Sequence, residues 1–158
     1  MERTENNRVL AICGWSGSGK TTLIEAVLPR LIELGLSVAV IKNDVHGIQL
    51  DKQGKDSDRL FRAGADVSIG GPDECFIRIH QKEKHEGYKT ILSFFLEHHD
   101  LVLIEGHKDI PTPKIWLEHP AKKDIPGNVL AIRQVFQWGN DREGKLLDII
   151  KTDLKLND

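Results

Sequence analysis

Apolar residues along the chain fall into two rhythms that alternate: short unbroken runs and longer runs at helical spacing. Residues 8–13, Arg8-Val9-Leu10-Ala11-Ile12-Cys13, form a continuous apolar run, the signature of a strand buried on both faces. Leu23, Ile24, Val27, Leu28, Leu31, Ile32 and Leu34 then recur at the i, i+3, i+4, i+7 spacing of a helix with one buried face, which Gly35 terminates. Pro29 inside that run removes one hydrogen bond and crowds the carbonyl of Glu25, so a kink is expected there and not a break. Residues 37–41 predict a second strand, parallel to the first through a right-handed crossover. A short helix is expected within 54–64, and residues 66–70 and 74–80, on either side of Gly71-Pro72-Asp73, predict a hairpin or two adjacent strands. A polar loop at 81–87 leads to a helix over 88–98 carrying Ile91, Leu92, Phe94, Phe95 and Leu96. Residues 100–106 read as an interior parallel strand, and 114–118 and 128–132 as two more. Leu146, Leu147, Ile149, Ile150 and Leu154 predict a final helix over 141–154. Strands and helices in this alternation imply an α/β fold with a mostly parallel central sheet and helices on both faces.

Length and composition narrow this picture without changing it. A chain of 158 residues fits one domain, 1–158, and at that size buries roughly 68–70% of its unfolded surface. The balance of 22 Lys+Arg against 24 Asp+Glu leaves a net charge of -2, which argues against a nucleic-acid surface built on bulk positive charge. Cys13 and Cys75 have no metal-ligand spacing and are expected to be reduced core or near-core thiols. The histidines form no pattern suited to zinc. With no apolar stretch of membrane length and no secretory leader in view, a cytoplasmic protein without membrane contact is expected.

Chemistry concentrates between the first strand and the first helix. Gly14-Trp15-Ser16-Gly17-Ser18-Gly19-Lys20-Thr21 satisfies G-x-x-x-x-G-K-[ST] at every required position, in the strand-loop-helix context that the motif needs. A Gly/Ser-rich turn can match by chance, but both flanks agree with a P-loop. Its backbone amides and the positive end of the following helix would surround a polyphosphate, Lys20 would reach the terminal phosphates, and the Thr21 hydroxyl would ligand Mg²⁺. The expected architecture is therefore the three-layer P-loop NTPase fold.

Ligands of open α/β sheets gather at the carboxyl ends of strands, which makes the Lys42-Asn43-Asp44-Val45-His46-Gly47 segment a second candidate rim. Asp44 can hold Mg²⁺ or position water, and Lys42 and His46 can touch phosphate; a polar turn with Asp44 bonding its own backbone explains the same string. Lys55, Ser57 and Arg59 can serve a second anion, or belong to ordinary helix capping and a solvated face. Asp100 and Glu105 bracket the interior strand about 16 Å apart at 3.3 Å per residue, so only one can face the phosphates. Glu105, at the carboxyl end, is the better carboxylate to hold Mg²⁺ through water or to position the attacking water. Lys20, Asp44 and Glu105 are thus the residues expected to act on the transferred phosphoryl group or its metal. The base-reading signal is weak: Ala121-Lys122-Lys123-Asp124 lacks the leading Asn of N-K-x-D and is treated as chance, while Arg133-Gln134 can line a base pocket.

Four blocks in this order, residues 14–22 with Thr22, Lys42-x-Asp44-x-His46, Gly54-Lys55-Asp56-Ser57-x-Arg59 followed by Ala63-Gly64-Ala65, and Glu105-Gly106-x-Lys108, resemble the molybdopterin-guanine dinucleotide biosynthesis protein B (MobB) family over nearly the whole chain. The resemblance implies a homodimeric GTP-binding P-loop protein with weak GTPase activity. It would use GTP and Mg²⁺, with His46, Lys55, Arg59 and Lys108 joining the P-loop in nucleotide binding. Such a protein assists the molybdenum cofactor guanylyltransferase (MobA), which attaches GMP to molybdopterin. His107 stands where Phe is more usual in the family pattern. Two other functions suit a P-loop: a small-molecule kinase, against which the absence of arginine in the 81–87 loop argues, and an adaptor whose nucleotide only sets its conformation.

Overall fold

The structure is a computed structural model, and it describes residues 7–43, 51–83 and 85–156. In chain order the elements are β1 (Val9–Gly14), α1 (Lys20–Glu33), β2 (Val38–Lys42), α2 (Asp56–Arg62), β3 (Val67–Gly70), β4 (Cys75–Arg78), α3 (Glu86–His98), β5 (Leu101–Glu105), β6 (Lys114–Leu117), β7 (Ile132–Phe136) and α4 (Arg142–Leu154). They fall into two compact units, Met1–Asn43 with Leu92–Asp158, and Asp44–Ile91.

The first unit is built on a five-stranded sheet in the order β2-β5-β1-β6-β7, with every pairing parallel. Alternate residues of the inner strands, Leu10 and Ile12 of β1, Leu103 of β5, Ile115 and Leu117 of β6, meet Leu23, Val27 and Leu31 of α1 and Leu146 and Ile150 of α4 in one core. The intervening residues Val9, Ala11, Cys13, Val102, Ile104 and Trp116 are buried as well. Burial on both faces is why these strands read as unbroken apolar runs, whereas the edge strand β2 alternates buried and exposed positions.

β1 and β2 are parallel as expected but not neighbours, because β5 pairs with both. Non-local pairing of this kind leaves no mark on hydrophobic periodicity. α1 continues unbroken through Pro29, an exposed position. Ile32 and Leu34 lie outside the buried face formed by Leu23, Ile24, Val27 and Leu31, and are 61% and 44% exposed. The strand expected at 128–132 is displaced: β7 runs Ile132–Phe136. Val129 instead closes a turn onto the Pro126 carbonyl, and Ala131 adopts φ 56°, a left-handed backbone that ends any extended run before Ile132. Asp100 serves the amino end of β5, where its carboxylate accepts from the Ser37 amide and hydroxyl at 3.0 and 2.8 Å.

In the second unit β3 and β4 form an antiparallel hairpin, with Val67 opposite Arg78. Asp58 on α2 is buried and accepts from the Gly54 amide, Arg62 and Arg78, while Arg78 also reaches Asp51 at 2.6 Å and lies over the Phe61 ring. These bonds, led by the Gly54 amide, hold the Asp58 pKa down at about 2 against burial. Cys75, expected near the core, is exposed on β4; Cys13 is buried on β1, and both are free thiols.

Candidate functional site

β1 is where the chain switches direction across the sheet, with β5 and β2 on one side and β6 and β7 on the other, and its carboxyl end opens into the Gly14–Thr21 loop. Three glycines give the loop its shape. Gly17 and Gly19 sit at φ 79° and 88°, and a Cβ on Gly14 would lie 2.4 Å from Ser18 Oγ and 2.8 Å from the Leu117 carbonyl. α1 then starts after its N-cap Gly19, with no side-chain cap and no acidic residue in its first turn. In contrast, α4 is capped by Asp141 and carries Glu143 in its first turn. The donors at the start of α1 are left for an anion, with the helix dipole behind them.

Cations surround this opening. Lys20 folds back over the loop and donates to the carbonyls of Trp15 at 2.9 Å and Gly14 at 3.3 Å. Its pKa is lowered, first by burial and then by the nearby Lys108 and Lys42 ammonium groups, against the pull of Glu105. A site that disfavours its own cation in this way gains when an anion enters. Glu105, buried at the end of β5, accepts from Thr21 Oγ1 at 2.9 Å and from Lys42 Nζ at 2.8 Å. A hydroxyl and a carboxylate side by side are the hard oxygen donors that Mg²⁺ takes, so the pair fits the metal that a P-loop implies.

The segment after β5 is braced from beneath. The buried Cys13 thiol donates to the Gly106 carbonyl at 2.9 Å, and burial raises its pKa. Lys114, buried on β6 with its pKa lowered by desolvation, donates to the carbonyls of Ile110 and Thr112. Lys108 is thereby carried to 4.9 Å from the Trp15 ring, on which Lys122 also sits at 4.7 Å. The Trp15 indole N–H donates to the Asp124 carbonyl at 2.9 Å, so the 121–124 string dismissed as chance closes against the P-loop through its backbone.

Of the expected site residues, Lys20, Thr21, Lys42, Glu105 and Lys108 converge. Trp15 joins them with its side chain turned to lysines and not to the cradle, Ser16 and Gly17 are exposed, Ser18 is buried with no partner for its hydroxyl, and Thr22 is exposed on the first turn of α1. Asp44 and His46 lie outside the described residues. Lys55 and Arg59 are exposed on the second unit, where Lys55 precedes α2 and Arg59 pairs with Asp56 at 3.9 Å. Arg133, proposed for a base pocket, is tied to Asp153 of α4, whose carboxylate raises its pKa.

Sequence reasoning missed Arg142. Arg142 opens α4 and donates to the carbonyls of Ser18 and Glu118, both at 2.8 Å, Gln137 at 3.0 Å and Phe136 at 3.2 Å, joining the P-loop to the ends of β6 and β7. Nothing but its place at the start of a helix, where a basic residue is unfavourable, marked it in the sequence.

Comparison with known proteins shows the family. The family model described as "Molybdopterin guanine dinucleotide synthesis protein B" matches residues 9–133. A molybdopterin-guanine dinucleotide biosynthesis adapter protein of Haemophilus influenzae is 39% identical over 91% of this chain and 84% of its own. Its Escherichia coli counterpart is 31% identical over 84% of this chain and 78% of its own. The crystal structure of a MobB homolog from Bacillus stearothermophilus superposes with a TM-score of 0.67 over 92% of this chain and 99% of its own, at 19% identity, a likeness of fold.

Proposed function

Because the chain belongs to the molybdopterin guanine dinucleotide synthesis protein B family, we propose that it is an adapter in forming the guanine dinucleotide of the molybdenum cofactor, and that it works through GTP and Mg²⁺ bound at its P-loop. The observation that carries this reading is the uncapped, acid-free start of α1, facing a loop over which the Lys20 ammonium is folded. A triphosphate would take up the α1 amides and draw Lys20 from the loop carbonyls to its own oxygens. Thr21 and Glu105 would hold Mg²⁺, with Lys42 giving up its hold on Glu105, and Asp44 as a further carboxylate. The metal, when bound, neutralises charge that builds on the β- and γ-phosphate oxygens. His46, Lys55 and Arg59 are further candidates for the nucleotide.

Hydrolysis would be slow in the isolated chain. Arg8, Arg133 and Arg142 are engaged with Leu96 and His99 carbonyls, with Asp153 and with the P-loop surround, so none of these three is at hand to stabilise the transferring phosphoryl group. A homodimer is part of the same proposal, as is a guanylyltransferase partner that receives molybdopterin. Reconstitution tests it: adding the chain with GTP and Mg²⁺ to a molybdenum cofactor guanylyltransferase and molybdopterin should raise the yield of guanine dinucleotide cofactor. The Lys20→Ala chain should not do so. Equal yields with and without the wild-type chain would contradict the adapter role.

A further inference from the structure

The Thr21–Glu105 pair lies on the β5 side of β1, so a triphosphate in the loop whose metal these two residues hold would have its terminal end on that side. The phosphate chain is short and roughly linear, so the nucleoside leaves over the opposite rim, the carboxyl ends of β6 and β7. Two rings stand there. His119, just beyond β6, approaches the outside of the loop: its Nε2 would be 3.5 Å from a Cβ placed on Gly17. The Ala121 amide donates to His119 Nδ1 at 3.1 Å, which in the neutral ring leaves the proton on Nε2, facing the loop. Trp138, just beyond β7, is 49% exposed, an unusual expense of apolar surface, with its ring centroid 6.3 Å from that of His119 and tilted 51°. The Arg142 guanidinium sits 5.2 Å from the Trp138 ring, and the Trp138 amide approaches Glu118 Oε2 at 3.3 Å. Arg142 also holds the Ser18 carbonyl of the P-loop, so the rings are fixed relative to the phosphate cradle.

Resting on the phosphate assignment above, we propose that His119 and Trp138 form the nucleobase shelf of this site: a planar base stacks on the exposed indole, and His119 closes the edge toward the phosphates. Stacking on an aromatic face is tolerant of base identity, so the shelf supplies affinity for a nucleoside over bare phosphate and not by itself a choice of base.

Binding of GTP and of inorganic tripolyphosphate, each with Mg²⁺, to the wild-type chain, Trp138→Leu, His119→Ala and Lys20→Ala separates the two readings. The wild type should bind GTP about tenfold or more tightly than tripolyphosphate, and Trp138→Leu should remove most of that margin while leaving tripolyphosphate affinity within about twofold. His119→Ala should narrow the margin in the same direction. Lys20→Ala should weaken both ligands together. An unchanged margin in both ring variants, or no margin in the wild type, overturns the shelf and leaves the phosphate site standing. Failure of the wild type to bind either ligand overturns the phosphate reading, and the shelf with it. Circular dichroism of each variant confirms that the fold is intact, as expected for one exposed and one half-buried side chain at loop positions.

Discussion

At the scale of single residues, Glu105 and Asp58 show opposite uses of a buried carboxylate. Glu105 spends its two oxygens on Thr21 and Lys42, and a metal held by Thr21 and Glu105 could take the place of the Lys42 ammonium. Glu105→Gln should raise the Mg²⁺ concentration needed for half-maximal nucleotide binding by about tenfold, measured by titrating Mg²⁺ at fixed GTP. Asp58 is committed to structure by three donors. Its folded pKa of about 2 lies below the ordinary value of 3.8, so between those values the unfolded chain binds more protons, and the contribution is complete above that range and lost as pH falls through it. An acid titration followed by circular dichroism should show Asp58→Asn less stable than wild type at neutral pH, with the difference shrinking as pH drops toward 2. That Glu105 lies beside the loop and Asp100 at the far end of the strand was legible because a strand has a fixed rise. His119 and Trp138 were not, since no spacing links residues that meet only through β6–β7 pairing, which carries a register shift between Lys114 and Ile115.

Among elements, the ones read most faithfully are those whose burial is uniform. β1, β5 and β6 announce themselves as apolar runs, and α1 and α4 as helical stripes, because each buries a whole face. β7 was misplaced by four residues because Val129-Leu130-Ala131-Ile132 is the more apolar string, while the paired strand Ile132–Phe136 is an edge with three exposed positions in five. The order of strands was beyond periodicity altogether. What fastens these elements near the loop is Arg142, a single guanidinium spanning four carbonyls. Arg142→Met should destabilise the chain by about 1–3 kcal/mol in denaturant titrations, because the carbonyls of Ser18, Glu118 and Phe136 lose a charged donor.

For the whole molecule, the second unit carries exposed apolar side chains: Leu60 is 57%, Ile77 58% and Phe76 37% exposed. The proposed homodimer would cover such residues. Sedimentation velocity should find a dimer for the wild-type chain and a shift toward monomer for Ile77→Lys, whereas a wild-type monomer at all concentrations would remove the dimer from the proposal. The central claim is that Gly14–Thr21 holds a guanine nucleoside triphosphate. Isothermal titration of GTP and ATP with Mg²⁺ tests it most directly. One saturable site per chain is expected, with GTP preferred over ATP, and an affinity that drops roughly 10- to 100-fold in Lys20→Ala. Equal affinity for GTP and ATP, or GTP binding that survives Lys20→Ala unchanged, would contradict it.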